Sequence, residues 1–266
     1  MKTVRLGVIG LGNMGSAIVR GLDGREDVEL FGLDADKDKM QALSEETSLT
    51  AATSLFELLE DAEYLVVAVK PNQVPGLLKE ACTRLRPAHV VISIAAGITL
   101  EQLKNCVSGV CPVVRVMPNT PAMVRSGVFA VCMDDPMLKD DHKAFVGELF
   151  TPLGEVHQLS DGLFDSFTAV VGSGPAYVFY FMEALMEAAV TLGFTRDMAD
   201  KMVKGLFKGS TALARESEHH VSILREMVSS PAGTTIAALN HLDRTAVRGA
   251  IIDAVRAACE RSKEMG

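Results

Sequence analysis

The sequence contains no tryptophan, few other aromatic residues and few cysteines. Aromatic residues make up 5% of the 266 residues, and the five cysteines include no Cys-x-x-Cys pair. This scatter excludes a zinc ribbon and a disulfide framework, and it predicts reduced thiols in the cytoplasm. The six histidines show no spacing typical of metal ligands, so no metal site is expected.

Clustered positive charge and long hydrophobic runs are also missing. The chain has 26 Lys and Arg against 34 Asp and Glu, a net charge of −8. Nucleic-acid binding needs clustered basic residues, so no nucleic-acid partner is expected. The most apolar window, residues 169–192, is interrupted by glycines and a proline and contains two glutamates, which predicts no membrane span. The apolar run at residues 4–11 is too short for a signal peptide.

The first 160 residues alternate apolar, β-branched runs with helical stretches. Such runs predict strands of a parallel sheet that is covered on both faces. The predicted strands cover residues 4–9, 28–33, 64–69, 89–94 and 113–117.

From about Asp161 the strand pattern disappears and helical periodicity follows. Thr245 is predicted to cap a helix in which apolar residues recur from Val247 onward. Residues 176–192 are apolar nearly all round, apart from two glutamates. A helix of this kind has to be buried on most faces, which predicts that it lies at a subunit interface.

The segment Gly10-Leu11-Gly12-Asn13-Met14-Gly15 has the pattern G-x-G-x-x-G between a predicted strand and a predicted helix. Gly10 permits the tight turn, Gly12 lets a pyrophosphate approach the backbone, and Gly15 lets helix and strand pack closely. The helix N-terminus supplies N–H donors to the phosphates. This context favours dinucleotide binding over an ordinary turn.

Asp34 ends the second predicted strand, about 20 residues beyond the fingerprint, where a carboxylate accepts hydrogen bonds from the adenosine ribose. The alternative is a solvated Asp in a turn. Three further strands end in small or polar residues at the sheet edge where α/β proteins bind ligands. Taken alone, each residue has an alternative interpretation: Lys70 as a surface lysine in a turn, and Asn119 as part of an Asx turn.

A segment of hydroxyl residues, proline and glycine, residues 229–235, precedes a helical run and contains Ser230, Gly233, Thr234 and Thr235. One interpretation is an ordinary helix cap. The other is a carboxylate site in which hydroxyls and backbone N–H groups share one pocket. The residues alone favour neither.

Six ordered segments of the chain resemble the pyrroline-5-carboxylate reductase family over essentially its full length. The most specific is LREMVSSPAGTTIAALNHLD, residues 224–243. The other five are GLGNMG at 10–15, AVKP at 68–71, SIAAG at 93–97, VRVMPNTPA at 114–122 and GSGPAY at 172–177.

The resemblance implies an α/β Rossmann-type N-terminal domain, residues 1–160, followed by an all-α C-terminal dimerisation domain, residues 161–266. It also implies an intertwined homodimer, with larger assemblies of dimers common in the family. The implied reaction is hydride transfer from NAD(P)H to the imine carbon of 1-pyrroline-5-carboxylate, which yields L-proline.

The resemblance further implies that the loop holds the substrate carboxylate and that a threonine hydroxyl reaches the ring nitrogen. Ser230 and Thr235 are the implied catalytic residues, and Asp161 falls near an acidic position of the family pocket. The implied substrate-binding set is Ser230, Gly233, Thr234, Thr235 and Asp161. One departure from the family pattern is Ala232, where glycine is usual.

The expected cofactor-binding residues follow the fingerprint and the strand ends. Asp34 favours NADH over NADPH, because its charge would repel a 2′-phosphate, although NADPH also remains usable. The set comprises Gly10, Leu11, Gly12, Asn13, Met14, Gly15, Asp34, Ala68, Val69, Lys70, Pro71, Ala95, Ala96 and Asn119.

Two rival interpretations are weaker. A β-hydroxyacid dehydrogenase shares the fingerprint but carries a lysine relay in the first long helix of its second domain, and residues 174–192 contain no lysine. A dinucleotide-binding regulatory protein without an enzymatic pocket is disfavoured by the intact loop at residues 230–235.

Overall fold

The computed structural model describes residues 3–265, which form two compact units. The first unit comprises residues 3–173 with 258–265, and the second comprises Gly174–Ala257. These contact units differ from the division into domains 1–160 and 161–266, which remains a prediction.

The first unit is built on one eight-stranded sheet. Its strands are β1 (Val4–Ile9), β2 (Val28–Leu33), β3 (Thr50–Ala51), β4 (Tyr64–Val67), β5 (Val90–Ser93), β6 (Val113–Met117), β7 (Gly127–Cys132) and β8 (Gly154–Gln158). The strand order is β3-β2-β1-β4-β5-β6-β7-β8. The chain crosses from one side of β1 to the other between β3 and β4, so the ends of β1 and β4 flank a crevice at the switch point.

The sheet is mixed, whereas the sequence predicted a parallel one. The strands β1 to β6 pair in parallel, but β7 runs antiparallel to β6. β7 follows β6 after one short 3₁₀ turn at Thr120–Val124, and so short a connection joins antiparallel neighbours only. The strands β3, β7 and β8 were not predicted from the sequence.

Helices cover both faces of the sheet. They are α1 (Asn13–Leu22), α2 (Lys37–Glu46), α3 (Leu55–Asp61), α4 (Val74–Ala81), α5 (Leu100–Cys106), α6 (Asp140–Leu149) and α7 (Phe164–Phe167). Along β4, Tyr64 and Val66 belong to one buried cluster, and Leu65 and Val67 belong to another. Alternate side chains of a strand point to opposite faces, so the two clusters are the cores above and below the sheet.

The second unit is helical. It contains α8 (Gly174–Thr191), α9 (Arg196–Glu216), α10 (Val221–Met227), α11 (Thr234–Arg244) and most of α12 (Val247–Met265). Thr195 caps α9, since its hydroxyl accepts from the N–H of Met198. Thr245 does not begin α12, contrary to the sequence prediction. Its hydroxyl donates to the carbonyl of His241 at 2.9 Å and it ends α11 instead.

The apolar helix α8 has no buried residue within the chain. Phe179 is 62% exposed and Tyr180 is 70% exposed. By length and composition alone, the stretch Asp161–Thr191 also qualifies as a membrane span, with a mean hydropathy of 1.2. One such stretch is weak evidence for a membrane, because a helix that pairs with a second subunit has the same composition.

Candidate active site

The fingerprint glycines form a tight junction between β1 and α1. Gly10 has φ +95°, and a Cβ there would lie 2.9 Å from backbone atoms of Ala68 and Val69. A Cβ on Gly15 would lie only 1.9 Å from the carbonyl oxygen of Gly10. Both positions therefore require glycine, the first for its conformation and the second for the close approach of helix and strand.

Gly12 differs, because a Cβ there would meet no atom within 4 Å. It is the N-cap of α1, and no side chain makes a capping hydrogen bond to the first turn. Open space beside a helix N-terminus is what a pyrophosphate needs. The geometry of this junction therefore fits a dinucleotide cofactor.

We expect Gly12→Ala to leave folding unchanged and to weaken cofactor binding about tenfold. The added methyl group meets no protein atom but occupies the path by which a pyrophosphate approaches the N–H groups. Urea unfolding and NADH titration measure the two effects separately. The matched variant is Gly15→Ala, in which the methyl group clashes with backbone and stability itself falls. Unchanged NADH affinity in Gly12→Ala would show that the phosphates bind elsewhere.

Asp34 is fixed at the end of β2 by two backbone donors. One carboxylate oxygen accepts from the N–H of Leu11, and the other accepts from the N–H of Asp36 at 2.8 Å. The carboxylate therefore lies beside the glycine-rich loop, as ribose recognition requires. The nearby Lys39 binds Asp36 at 3.1 Å, and this ion pair, with a smaller contribution from Asp34, raises the pKa of Lys39.

A cleft of about 490 Å³ joins the glycine-rich loop to the ends of β2 and β4. Of the predicted cofactor residues it is lined by Gly10, Gly12, Asp34, Ala68, Val69 and Lys70. Sequence reasoning missed its remaining wall, which comprises Ile9, Leu33, Ala35, Leu55, Gln73, Leu77 and Glu80. The Gln73 side chain accepts from the N–H of Lys70 at 3.2 Å, as a residue three positions after a strand end can do. The leucines had no sequence signal, because they look like ordinary core residues.

The other predicted cofactor residues lie along the same sheet edge but outside this cleft. Ala95 and Ala96 follow β5, and Asn119 follows β6. The Asn119 carboxamide makes one donated and one accepted hydrogen bond within the protein. It accepts from the N–H of Val128 at 2.9 Å and donates to the carbonyl of Val171 at 3.3 Å. Asn119 thus joins β7 to a π-helical turn, and its cofactor role stays a prediction.

The loop at residues 230–235 leads into α11 in the second unit. The N-cap of α11 is Gly233, so no cap side chain covers the first-turn N–H groups of Thr234 and Thr235. A Cβ on Gly233 would lie 2.4 Å from the Ser230 hydroxyl, which shows how closely that hydroxyl approaches the helix start. This arrangement favours an anion site over an ordinary serine or threonine cap.

Ala232 has a positive φ of +56°, a conformation that glycine adopts at no steric cost. For alanine the left-handed region costs about 1–2 kcal/mol. The conformation explains why the family pattern has glycine here. The alanine keeps the loop geometry at some cost in stability.

The Asp161 carboxylate has hydrogen-bond partners within the first unit. Its carboxylate accepts from the guanidinium of Arg115 at 2.8 Å and from the N–H of Leu100 at 3.3 Å. Arg115 is only 5% exposed and its guanidinium lies 4.5 Å from the centre of the Phe164 ring. The structure therefore gives Asp161 a structural partner, and its substrate-binding role stays a prediction.

We expect Asp161→Ala to lower the free energy of unfolding by about 2–3 kcal/mol, because it leaves the buried guanidinium of Arg115 unpaired. Chemical denaturation measures this loss, and the double variant with Arg115→Met should recover part of it. The folded enzyme should keep its KM for substrate within a few-fold. A large rise in KM at unchanged stability would contradict the structural role and favour direct substrate contact.

The chain is similar to known proteins over nearly its full length. Residues 5–97 match the family described as NADP oxidoreductase coenzyme F420-dependent, and residues 161–265 match the family described as pyrroline-5-carboxylate reductase dimerisation. The pyrroline-5-carboxylate reductase of Escherichia coli K12 is 35% identical over 264 residues, which cover 98% of each chain.

Two solved structures are similar over nearly their full length. The pyrroline-5-carboxylate reductase of Coxiella burnetii superposes with a TM-score of 0.92, at 32% identity, over 100% of this chain and 99% of that chain. The pyrroline carboxylate reductase of Plasmodium falciparum, solved with NADP bound, superposes with a TM-score of 0.89, also at 32% identity and with the same coverage. The α/β fold and the helical dimerisation region are thereby confirmed, and the chain belongs to the pyrroline-5-carboxylate reductase family of oxidoreductases.

Proposed function

We propose that this chain reduces 1-pyrroline-5-carboxylate to L-proline with NAD(P)H, the final step of proline biosynthesis. The observation that carries this proposal is the uncapped start of α11, with the Ser230 hydroxyl beside it, in a chain of this family. A small carboxylate substrate fits such a helix start.

The cofactor supplies a hydride when it is bound. In this proposal the open position at Gly12 and the N-terminus of α1 bind its pyrophosphate, and Asp34 accepts hydrogen bonds from its ribose hydroxyls. Gly10 and Gly15 keep the loop in the shape that exposes these donors.

The substrate carboxylate is proposed to bind the N–H groups of Thr234 and Thr235 and the hydroxyl of Ser230. The Thr235 hydroxyl lies in the first turn of α11 and is proposed to hydrogen-bond the ring nitrogen. An imine accepts hydride more readily when protonated, so a hydrogen-bond donor at this nitrogen assists the transfer. Orientation of two bound reactants contributes roughly 7–11 kcal/mol in well-aligned systems, which is why the site needs no strong acid.

NADH is proposed as the preferred cofactor, with NADPH also used. The carboxylate of Asp34 is held toward the cleft by backbone N–H groups. At about 4 Å and an effective dielectric of about 20, two like charges repel by about 4 kcal/mol before screening. Lys39, a nearby cation, is engaged by Asp36, so little positive charge remains for a 2′-phosphate.

We expect Asp34→Ser to lower the ratio of kcat/KM for NADH to that for NADPH about tenfold. The substitution removes both the ribose acceptor and the repulsive charge. Steady-state kinetics with each cofactor gives the ratio, and Asp34→Asn separates charge from shape because it keeps an acceptor oxygen. A wild type that strongly prefers NADPH, or a ratio that the substitution does not change, would assign the selectivity to other residues.

The exposed apolar surface of α8 supports a homodimer, which we propose to be intertwined and able to form larger assemblies. No nucleic-acid partner is proposed, because the chain is acidic. No membrane partner is proposed, because one apolar stretch is weak evidence for a membrane span. We place the enzyme in the cytoplasm. All five cysteines are free thiols, in keeping with a reducing compartment.

The decisive experiment is turnover of 1-pyrroline-5-carboxylate by the purified protein, followed by NADH or NADPH oxidation and by detection of proline. Saturable turnover that forms one proline for each oxidised cofactor supports the proposal. Binding of NADH without any turnover would instead favour a dinucleotide-binding regulatory protein.

A further inference from the structure

The last turn of α12 is joined to α7 by a partly buried hydrogen bond. Ser262 is 3% exposed, and its hydroxyl donates to the carboxylate of Asp165 in α7 at 2.7 Å. One turn earlier, the Cys259 sulfur lies 3.8 Å from the Ser166 hydroxyl. A buried serine with a charged partner is costly to leave unpaired, so this contact fixes where the last turn lies.

The same turn lies against the loop that follows β5. A Cβ added to Gly97 would lie 3.5 Å from the carbonyl oxygen of Met265 and 3.6 Å from its Cβ, so the last turn passes close to this glycine without clashing with it. Gly97 has φ +75°, a conformation that favours glycine. At the other end of this loop, the Leu100 N–H donates to Asp161. Residues 97–100 thus lie between the last turn of α12 and Asp161, which come from distant parts of the sequence.

This loop occupies a defined place relative to the cofactor cleft, if the proposed function holds. Asp34 ends β2 on one side of β1, and β4 and β5 lie on the other side. With the adenosine ribose at Asp34 and the pyrophosphate at Gly12, the nicotinamide half extends over the ends of β4 and β5. Ala95, Ala96 and Gly97 follow β5 after one residue, Ile94.

We propose that Ser262 is a positioning residue for the nicotinamide half of the cofactor. Its bond to Asp165 holds the last turn of α12 against Gly97, and that contact fixes the loop at residues 95–97. Loss of the bond frees the turn and lets the loop sample other conformations. The nicotinamide half then binds less tightly, while the adenosine and pyrophosphate contacts on the far side of β1 are unaffected.

The test compares two ligands on the full-length protein, NADH and ADP-ribose, since ADP-ribose lacks the nicotinamide ring. We expect Ser262→Ala to raise the Kd for NADH three- to tenfold and to leave the Kd for ADP-ribose within twofold of wild type. Lys263→Ala is the matched control, because it lies in the same turn with its side chain exposed. Its Kd values should match wild type for both ligands.

Two further variants test the same bond from its other end. Asp165→Ala should reproduce the Ser262→Ala result. Asp165→Asn keeps an acceptor oxygen for the Ser262 hydroxyl and should bind NADH with nearly the wild-type Kd. The two Asp165 variants also test the positioning role if Ser262→Ala proves too unstable to purify. Equal weakening for NADH and ADP-ribose, or no weakening for either, would overturn the positioning role. A wild type that binds neither ligand would instead contradict the proposed function.

Discussion

Replacing Thr235 with alanine is expected to lower kcat/KM for 1-pyrroline-5-carboxylate by tenfold to a hundredfold. The variant removes one hydrogen-bond donor next to the ring nitrogen, where charge changes as the hydride arrives. A hydrogen bond to such a group contributes about 1.5–3 kcal/mol, and each 1.4 kcal/mol corresponds to a factor of ten. The main loss should fall in kcat, because the donor matters most in the transition state.

The control for this prediction is Thr235→Ser, which keeps the hydroxyl and should retain most activity. Thermal unfolding of each variant checks that α11 still forms, since Thr235 lies in its first turn. A folded Thr235→Ala enzyme that turns over at the wild-type rate would show that Thr235 only supports the helix start. The carboxylate site would then depend on the backbone and Ser230.

A charged residue on α8 is expected to abolish the stable dimer. Met182 and Met186 line a shallow groove together with Phe179 and Tyr180, and α8 has no residue buried within its own chain. If this face pairs with a second subunit, Met182→Lys or Met186→Lys places an unpaired charge in an apolar interface. The cost is several kcal/mol, so the dissociation constant of the dimer should rise at least a hundredfold.

Sedimentation velocity over a range of protein concentrations measures this change. Met137→Lys is the matched control, because Met137 is a half-exposed methionine of the first unit, 40% exposed. It should leave the assembly unchanged. A wild-type protein that sediments as a monomer would contradict the interface. Dimers that survive both α8 substitutions would move the interface to another face of the second unit.

Local sequence patterns predicted much of the first unit. The strands at residues 4–9, 28–33 and 113–117 have the predicted bounds, because continuous β-branched runs in a doubly covered sheet carry a strong signal. The fingerprint glycines were predicted for the reasons that the structure gives, namely a positive φ at Gly10 and a close approach at Gly15. The strand β8, GEVHQ, is largely polar and gave no clear signal, whereas β7, GVFAVC, is an apolar run that was overlooked.

Tertiary contacts give individual polar residues partners that no local pattern predicts. The binding roles of Asp161 and Asn119 stay predictions, and the structure adds that Asp161 accepts from Arg115 and that Asn119 pairs with two backbone groups. Arg115 is buried and lies 46 positions before Asp161, so no local sequence pattern could predict this pair. Thr245 was likewise expected to start a helix, and instead its hydroxyl donates to His241 and ends the preceding helix.

The sequence by itself determined the family, the dinucleotide fingerprint and the change from strands to helices near residue 161, because each depends on residues that are neighbours in the chain. Only the tertiary structure decided which groups the carboxylates of Asp161 and Asp165 bind and where the last turn of α12 lies. These outcomes depend on pairs such as Asp165 and Ser262, which lie 97 positions apart. Chain folding alone brings such residues into contact, and burial then makes their pairing obligatory.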